Sequence, residues 1–214
     1  ALNEELSAVP QEFEDVIGNV GLSFCLAQLD PDGNSCSGVN RVYTDTDIFQ
    51  GFDDAMKYSD MGGVDAWDTE QYLNIWVCDL SGNTLGFATM PGDVSDNPEL
   101  DGVVIDYKYF GVDLFSSDNP YYNLGRTGTH EIGHYFGLYH TFESDCSAPD
   151  DAVADTPRNH SDNLFDCNPN LDSCPNDPGN DPIYNYMNYT SCTDHFTSGQ
   201  TERMHAIVAT YHPS

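Results

Sequence analysis

The chain has 214 residues, of which 39% are hydrophobic and 12% aromatic. This length fits one large domain or two small lobes, and the composition excludes a disordered chain, which would be poorer in both classes. Thirty-six acids against six lysines and arginines give a formal charge of −30, which excludes binding to nucleic acid or to an anionic membrane. The acids predict solubility in a salty or calcium-rich medium, and some of them are candidate calcium ligands.

Cysteines and apolar runs indicate the compartment. Four of the seven cysteines lie among Pro, Asn, Asp and Gly between residues 146 and 192, which is typical of a disulfide-stapled extracellular segment. No Cys-x-x-Cys pair suggests a zinc ribbon. No run approaches the roughly 20 apolar residues that span a bilayer. No signal-peptide pattern opens the chain, so we expect a secreted protein in its mature form, already separated from its signal and any pro-segment.

The first half of the chain predicts short strands around a weak helix. In chain order the elements are an acidic lead-in strand or helix at 3–19, a strand at 21–28, a helix at 53–59, and strands at 72–77, 85–89 and 102–106. A strong turn signal at 30–34 follows the first strand. The apolar run at 72–77 (YLNIWV) is typical of a strand buried on both faces. Strands with intervening helical or loop segments favour an α/β first lobe.

The second half predicts two helices separated by an irregular segment. Residues 123–137 are predicted to form the first helix. Regular periodicity then disappears between 141 and 195, and a segment of this length without regular structure usually needs disulfides or bound ions to order it. Thr197 and Gln200 fit a capping box that opens a terminal helix. The apolar face of that helix comprises Met204, Ile207, Val208 and Tyr211.

Three histidines predict a zinc site. His130 and His134 are four residues apart, so a helix places both imidazoles on one face as two ligands of a tetrahedral zinc. Glu131 lies beside the first ligand and can reach a zinc-activated water. His140 is roughly 240° around an ideal helix from His134, so the chain must fold back, which Gly137 permits. Three histidines leave the fourth position open, as in catalytic zinc sites.

These residues match the elongated zinc motif of metzincins, HExxHxxGxxH, and a methionine-containing turn (YNYMNY) follows at 184–189. Within metzincins the chain resembles the pappalysin family, especially its ulilysin-like or cytophagalysin branch. The resemblance runs from residue 24 to the terminal helix, and it is carried by FCLAQLDPDGN, YLNIWVCDL, DGVVID, GRTGTHEIGHYFGLYHTF, DDAVADTP and NYMNYT.

The resemblance implies an α/β (α+β) metzincin-like catalytic domain over residues 1–214. Its subdomain at 1–137 would hold a twisted, mostly parallel sheet with backing and active-site helices. The subdomain at 138–214 would be irregular, stapled by disulfides, and would end in a helix.

The resemblance also implies a mechanism of peptide hydrolysis. Glu131 would act as general base toward a zinc-activated water, Tyr189 would hydrogen-bond the oxyanion, and Met187 would form an apolar floor under the imidazoles. On the residues alone, Tyr189 and Met187 also fit ordinary core packing. Residues 85–88 resemble the cleft-edge strand that pairs with an extended substrate. We therefore expect a monomeric, secreted zinc endopeptidase whose partners are extended protein or peptide segments.

The segment after the zinc motif resembles a calcium site. The implied ligands are the Asp151 carboxylate, the Ala154 carbonyl and a Thr156 oxygen, with Glu143 as a further candidate. An acidic turn is the alternative.

The resemblance also suggests two disulfides, Cys146–Cys174 and Cys167–Cys192. The sequence alone leaves three pairings of these four cysteines open. Cys25, Cys36 and Cys78 stay unassigned.

The sequence does not determine the substrate preference, and it leaves two alternative functions possible. Members of the branch that cut before Arg or Lys carry an acid between the Met-turn tyrosine and the next cysteine, where this chain has only Thr190 and Ser191; Asp194 lies beyond Cys192. One alternative function is a non-catalytic zinc- and calcium-binding module that recognises an extended peptide. The other is a zinc hydrolase acting on something other than peptides.

Overall fold

The computed structural model describes residues 18–51, 53–94, 97–111 and 124–211. The chain divides into two compact units, one comprising Leu22–Tyr135 and the other Ala1–Gly21 with Phe136–Ser214. The lead-in predicted at 3–19 lies outside the described residues except for its last two. No helix of the described part is long and apolar enough to cross a membrane.

In its described residues, the unit Leu22–Tyr135 contains a three-stranded sheet and one α-helix. Its elements are β1 (Ile75–Cys78), β2 (Gly86–Ala88), β3 (Val103–Asp106) and α1 (Arg126–Tyr135). The strand order is β1-β3-β2, with β1 parallel and β2 antiparallel to β3. Helix α1 packs against β2 and β3, so the central β3 is buried along its whole length. The sheet is therefore mixed, where the sequence predicts a mostly parallel one.

Two predicted elements differ from the structure. Residues 21–28 form no strand in the described part, although an isolated antiparallel bridge joins Leu29 to Ser35 around the expected turn. The helix expected at 53–59 is replaced by two single 3₁₀ turns, Ala55–Lys57 and Ser59–Met61. Strand propensity alone does not form a strand, because each strand needs a partner to accept and donate its backbone hydrogen bonds.

Strand β1 is buried on one face only, which corrects the prediction of burial on both faces. Trp76 is 8% exposed, whereas Ile75 and Val77 are 40% and 43% exposed. β1 lies at an edge of the sheet, and its alternate side chains point to opposite faces. The inward face joins the core formed by Phe49, Met56, Trp76, Leu80 and Val104.

The second unit has little regular structure before its terminal helix α2 (Ser198–Tyr211). Disulfides join Cys146 to Cys174 and Cys167 to Cys192, which are the two pairings implied by the family resemblance. The three other cysteines, Cys25, Cys36 and Cys78, form no disulfide in the described part of the chain.

The predicted capping box of α2 is confirmed. The Gln200 amide donates to Thr197 Oγ1 at 3.1 Å, and the Thr197 amide donates to Gln200 Oε1 at 2.9 Å. On the predicted apolar face Met204 is fully buried, and Ile207 and Val208 are half-buried. Tyr211, the last residue of that face, is 49% exposed. The buried face therefore ends before Tyr211. The first helix is shorter than predicted, because Arg126–Tyr135 replaces 123–137; Asn123 lies outside the described residues.

Candidate active site

Helix α1 turns two imidazoles toward each other. His130 is buried and His134 is half-buried, and their Nε2 atoms lie 3.1 Å apart. Two nitrogen ligands at about 2.0–2.1 Å from a tetrahedral zinc are separated by about 3.3 Å. The pair of Nε2 atoms therefore has the spacing of two ligands of one metal ion.

The chain reverses after α1 as the sequence predicts. The helix ends at Tyr135, and Gly137 has a φ of +81°, which glycine adopts without strain. His130, His134 and His140 each offer one ring nitrogen, and these three atoms lie within 4.8 Å of one another. Three neutral imidazoles are a donor set that suits zinc.

Glu131 presents a buried carboxyl beside these histidines. Glu131 is 7% exposed, and its side chain forms no hydrogen bond with any described residue. Burial raises the pKa of this carboxyl to about 8, and a nearby divalent cation would favour the ionised form instead. The carboxyl oxygens are therefore available to a water molecule or to a substrate proton.

Gly86 of β2 provides the space for Glu131. A Cβ at Gly86 would lie 3.0 Å from Glu131 Cγ and 2.8 Å from the Val104 carbonyl oxygen. Because contacts this short are not tolerated, only glycine fits here without displacing the glutamate or the strand. The sequence motif does not reveal this contact, since Gly86 and Glu131 are far apart in the chain.

His140 lies among aromatic residues. Tyr189 Oη is 3.0 Å from His140 Nε2, and the Phe142 ring stacks on the imidazole with centroids 4.7 Å apart. On the other side of the ring, Glu143 Oε2 is 3.7 Å from Nδ1. Glu143, a candidate calcium ligand in the sequence, is thus a neighbour of His140.

The methionine turn is held in place by polar contacts. Met187 is fully buried, its amide donates to Asn185 Oδ1 at 2.9 Å, and its carbonyl accepts from the Thr141 amide at 3.3 Å. The Asn185 and Gln200 side chains exchange two hydrogen bonds of 2.7 and 3.0 Å. The capping residue of α2 therefore also anchors the turn, a second role that the capping pattern does not reveal.

Oxygen atoms converge at Asp151. Its carboxylate is buried, and Thr156 Oγ1 lies 2.7 and 2.9 Å from the two carboxylate oxygens and 2.8 Å from the Val153 carbonyl oxygen. A hydroxyl has one proton to donate, so these acceptors are more numerous than their donors. Burial raises the pKa of Asp151 to about 6. Ala154 lies in the same loop and is exposed.

Comparisons with known proteins identify the family. The M43 peptidase family model, described as pregnancy-associated plasma protein-A, matches residues 56–209, which is well over half of the chain and includes the zinc motif and the methionine turn. The chain belongs to this family. This finding confirms the resemblance to pappalysins, and membership in a metalloprotease family implies zinc as the metal of the three-histidine group.

Similar relatives are named extracellular metalloproteases. An extracellular metalloprotease of Neurospora crassa is 42% identical over 143 residues, covering 64% of this chain and 48% of its own length. One from Podospora anserina is 35% identical over 215 residues, covering 98% of this chain and 66% of its own. The chain thus spans about half the length of the first of these relatives.

Solved structures of mirolysin confirm the metzincin-like fold. Mature mirolysin of Tannerella forsythia in complex with a cleaved peptide matches with a TM-score of 0.85 and 40% identity, covering 93% of this chain and 75% of that chain. Mirolysin in complex with a compound matches with a TM-score of 0.84 and 41% identity, covering 94% and 76%.

Asp194 is the acid nearest to the interval between Tyr189 and Cys192, which contains no acid in this chain. Its side chain contacts His195. Asp194 Oδ1 lies 2.6 Å from His195 Nδ1, and the Asp194 side chain is 32% exposed. An aspartate paired in this way is a weaker partner for a substrate cation than a free one, because the imidazole already occupies one oxygen.

Proposed function

We propose that the chain is the catalytic part of a secreted zinc endopeptidase that cleaves extended segments of proteins or peptides. The observation that carries this proposal is the pair of Nε2 atoms on α1, 3.1 Å apart, next to a buried glutamate without a hydrogen-bond partner in the described part. Membership in a peptidase family and the names of the extracellular relatives support it.

His130, His134 and His140 would hold the zinc. The bound ion would polarise the scissile carbonyl and lower the pKa of water toward about 7. This donor set separates a catalytic zinc site from a structural one, in which four protein ligands close the coordination shell.

Glu131 would act as general base and then as general acid. Its carboxylate takes one proton from the attacking water as the new C–O bond forms on the scissile carbon. It then delivers that proton to the leaving amine as the C–N bond breaks. Burial supports this role, because a carboxylate shielded from bulk water binds a proton more tightly than an exposed one.

Tyr189 would stabilise the oxyanion that develops on the substrate carbonyl. Its hydroxyl faces His140 Nε2 at 3.0 Å. When the Nε2 lone pair of His140 serves as a metal ligand, the hydroxyl loses this acceptor and would donate to the substrate oxyanion instead. Met187, fully buried, would form the apolar floor of the site.

Strand β2 would bind the substrate backbone. It lies at an edge of the sheet and packs against α1, which carries Glu131. An extended peptide that pairs with an edge strand gains main-chain hydrogen bonds. This binding mode favours a substrate that is unfolded or looped at the cleavage site.

We also propose that calcium binds at Asp151, with Thr156 and the Ala154 carbonyl as further ligands. The excess of oxygen acceptors around Thr156 Oγ1 supports this assignment, because calcium prefers oxygen ligands. Glu143 is a weaker candidate, since its carboxylate lies 3.7 Å from His140 Nδ1.

We further propose that residues 1–214 form a single catalytic domain and that the protein acts as a monomer.

Hydrolysis of casein tests this function, with 1,10-phenanthroline as inhibitor and zinc addition as the control. Cleavage that stops with the chelator and returns with zinc is the expected result. A folded, zinc-loaded protein that cleaves neither casein nor a mixed peptide library would contradict it and favour a peptide-binding module. Sequencing the new N-termini then gives the P1′ preference, which the pairing of Asp194 with His195 leaves open.

A further inference from the structure

Arg203 of α2 contacts the turn that precedes His140. Its Nε donates a hydrogen bond of 2.7 Å to the Gly137 carbonyl oxygen, and its guanidinium carbon lies 5.1 Å from the centre of the Tyr139 ring. The two contacts lie on either side of Leu138, which is fully buried. One side chain therefore contacts the turn at two points, the backbone of Gly137 and the side chain of Tyr139.

The three zinc ligands are not held equally well. His130 and His134 belong to α1, so helical hydrogen bonds fix their backbone. His140 follows a turn with Gly137 at φ +81°, outside any helix or strand. Each backbone residue that must be ordered on metal binding lowers the affinity. A contact that orders this turn beforehand thus acts on the third ligand.

We propose that Arg203 is a positioning residue for the third zinc ligand, His140. The inference rests on the proposed zinc site and adds a role for α2 in metal binding. The planar guanidinium donates in a fixed direction while stacking on an aromatic ring, which a lysine ammonium does not reproduce. Both contacts and His140 itself lie within the second unit.

The test compares zinc affinity in Arg203→Met, Arg203→Lys and the unchanged protein. Competition with a chromophoric chelator gives the zinc dissociation constant, and the visible spectrum of the cobalt-loaded protein reports the ligand geometry. We expect Arg203→Met to weaken zinc binding about ten-fold, as for other residues that orient metal ligands. Arg203→Lys should recover only part of this loss.

Thr197→Ala is the matched control, because it weakens the start of α2 without touching Gly137. An Arg203→Met variant with zinc affinity within about two-fold of the unchanged protein would overturn the positioning role. An equal loss in Thr197→Ala would also overturn it, since the effect would then come from helix stability. If Arg203→Met does not fold, Arg203→Lys carries the same comparison. Failure of the unchanged protein to bind zinc would reject the proposed zinc site itself.

Discussion

Glu131 combines three features that its motif only partly predicts. The spacing to His130 and His134 identifies it from the sequence, because a helix repeats every 3.6 residues. Its burial and the clearance beside Gly86 depend on how β2 packs against α1. Local patterns do not report such contacts, since they join residues distant in the chain.

Replacing Glu131 with Gln tests the general base. The amide has nearly the same shape but accepts no proton, so kcat/KM should fall by about 10³-fold while zinc content stays unchanged. Hydrolysis of a quenched fluorescent peptide and elemental analysis measure the two quantities. Glu202→Gln, on the exposed side of α2, is the control and should retain full activity. Wild-type activity in Glu131→Gln would reject the assignment.

Tyr189→Phe separates oxyanion stabilisation from core packing. The variant keeps the ring contacts with His140 and Phe142 but loses the hydroxyl. We expect kcat to fall by about 10²-fold with little change in KM, because the lost hydrogen bond forms mainly in the transition state. Steady-state kinetics on the same peptide measures both. Unchanged kcat would favour a packed tyrosine, and Tyr211→Phe serves as the exposed control.

At the scale of an element, the start of helix α2 shows which contacts a local sequence pattern predicts and which it does not. The pattern of Thr197 and Gln200 predicts the reciprocal cap, because both partners lie within one helical turn. Asp155 adds two contacts that the pattern does not contain: it accepts from Thr197 Oγ1 at 2.7 Å and from the Gly199 amide at 2.8 Å. The carboxylate also lies at the positive end of the helix dipole.

Thr197→Ala should lower the free energy of unfolding by about 1–2 kcal/mol. The change removes the acceptor of the Gln200 amide and a donor to Asp155 together. Urea unfolding in the Glu131→Gln background, which avoids self-digestion, measures the effect. Thr210→Ala is the control, because that exposed hydroxyl bonds only its own helix at Ala206, and it should change stability by less than about 0.5 kcal/mol. Equal effects of the two changes would contradict the capping role.

Strand β1 illustrates why burial was predicted less well than the existence of an element. The apolar run at 72–77 correctly indicates a strand, but Ile75 and Val77 are exposed in the structure. The same run fits a central strand covered on both faces and an edge strand covered on one. The choice depends on neighbouring elements, which no window of this length contains.

At the scale of the whole molecule, 36 acids against six basic residues create repulsion that the fold must offset. The second unit has few regular elements before α2, so its two disulfides have a larger share in holding it together, to which a bound ion would add. Asp151 adds a buried carboxylate whose burial is unfavourable to the charged form. A calcium ion at this position would offset both the local and the general excess of negative charge.

Calcium should therefore stabilise the zinc-loaded protein. Binding at a concentration of about 100 times Kd adds about 2.7 kcal/mol, which raises Tm by about 5–10 °C for a chain of this size. Differential scanning fluorimetry of metal-stripped, zinc-reloaded Glu131→Gln protein measures this shift during calcium titration. Asp151→Asn should abolish it, whereas Asp162→Asn, whose side chain is 84% exposed, should retain it.

Sodium chloride at matched ionic strength separates a specific site from screening of the net charge. Screening acts on all exposed acids at once and weakens the repulsion between charges farther apart than the Debye length, about 10 Å at 0.1 M salt, so it would raise Tm equally in both aspartate variants. A specific site responds at far lower calcium concentration and only when Asp151 is present. A Tm that rises with calcium no more than with sodium, or equally in Asp151→Asn, would reject the calcium site and leave the acidic turn as the interpretation of this loop.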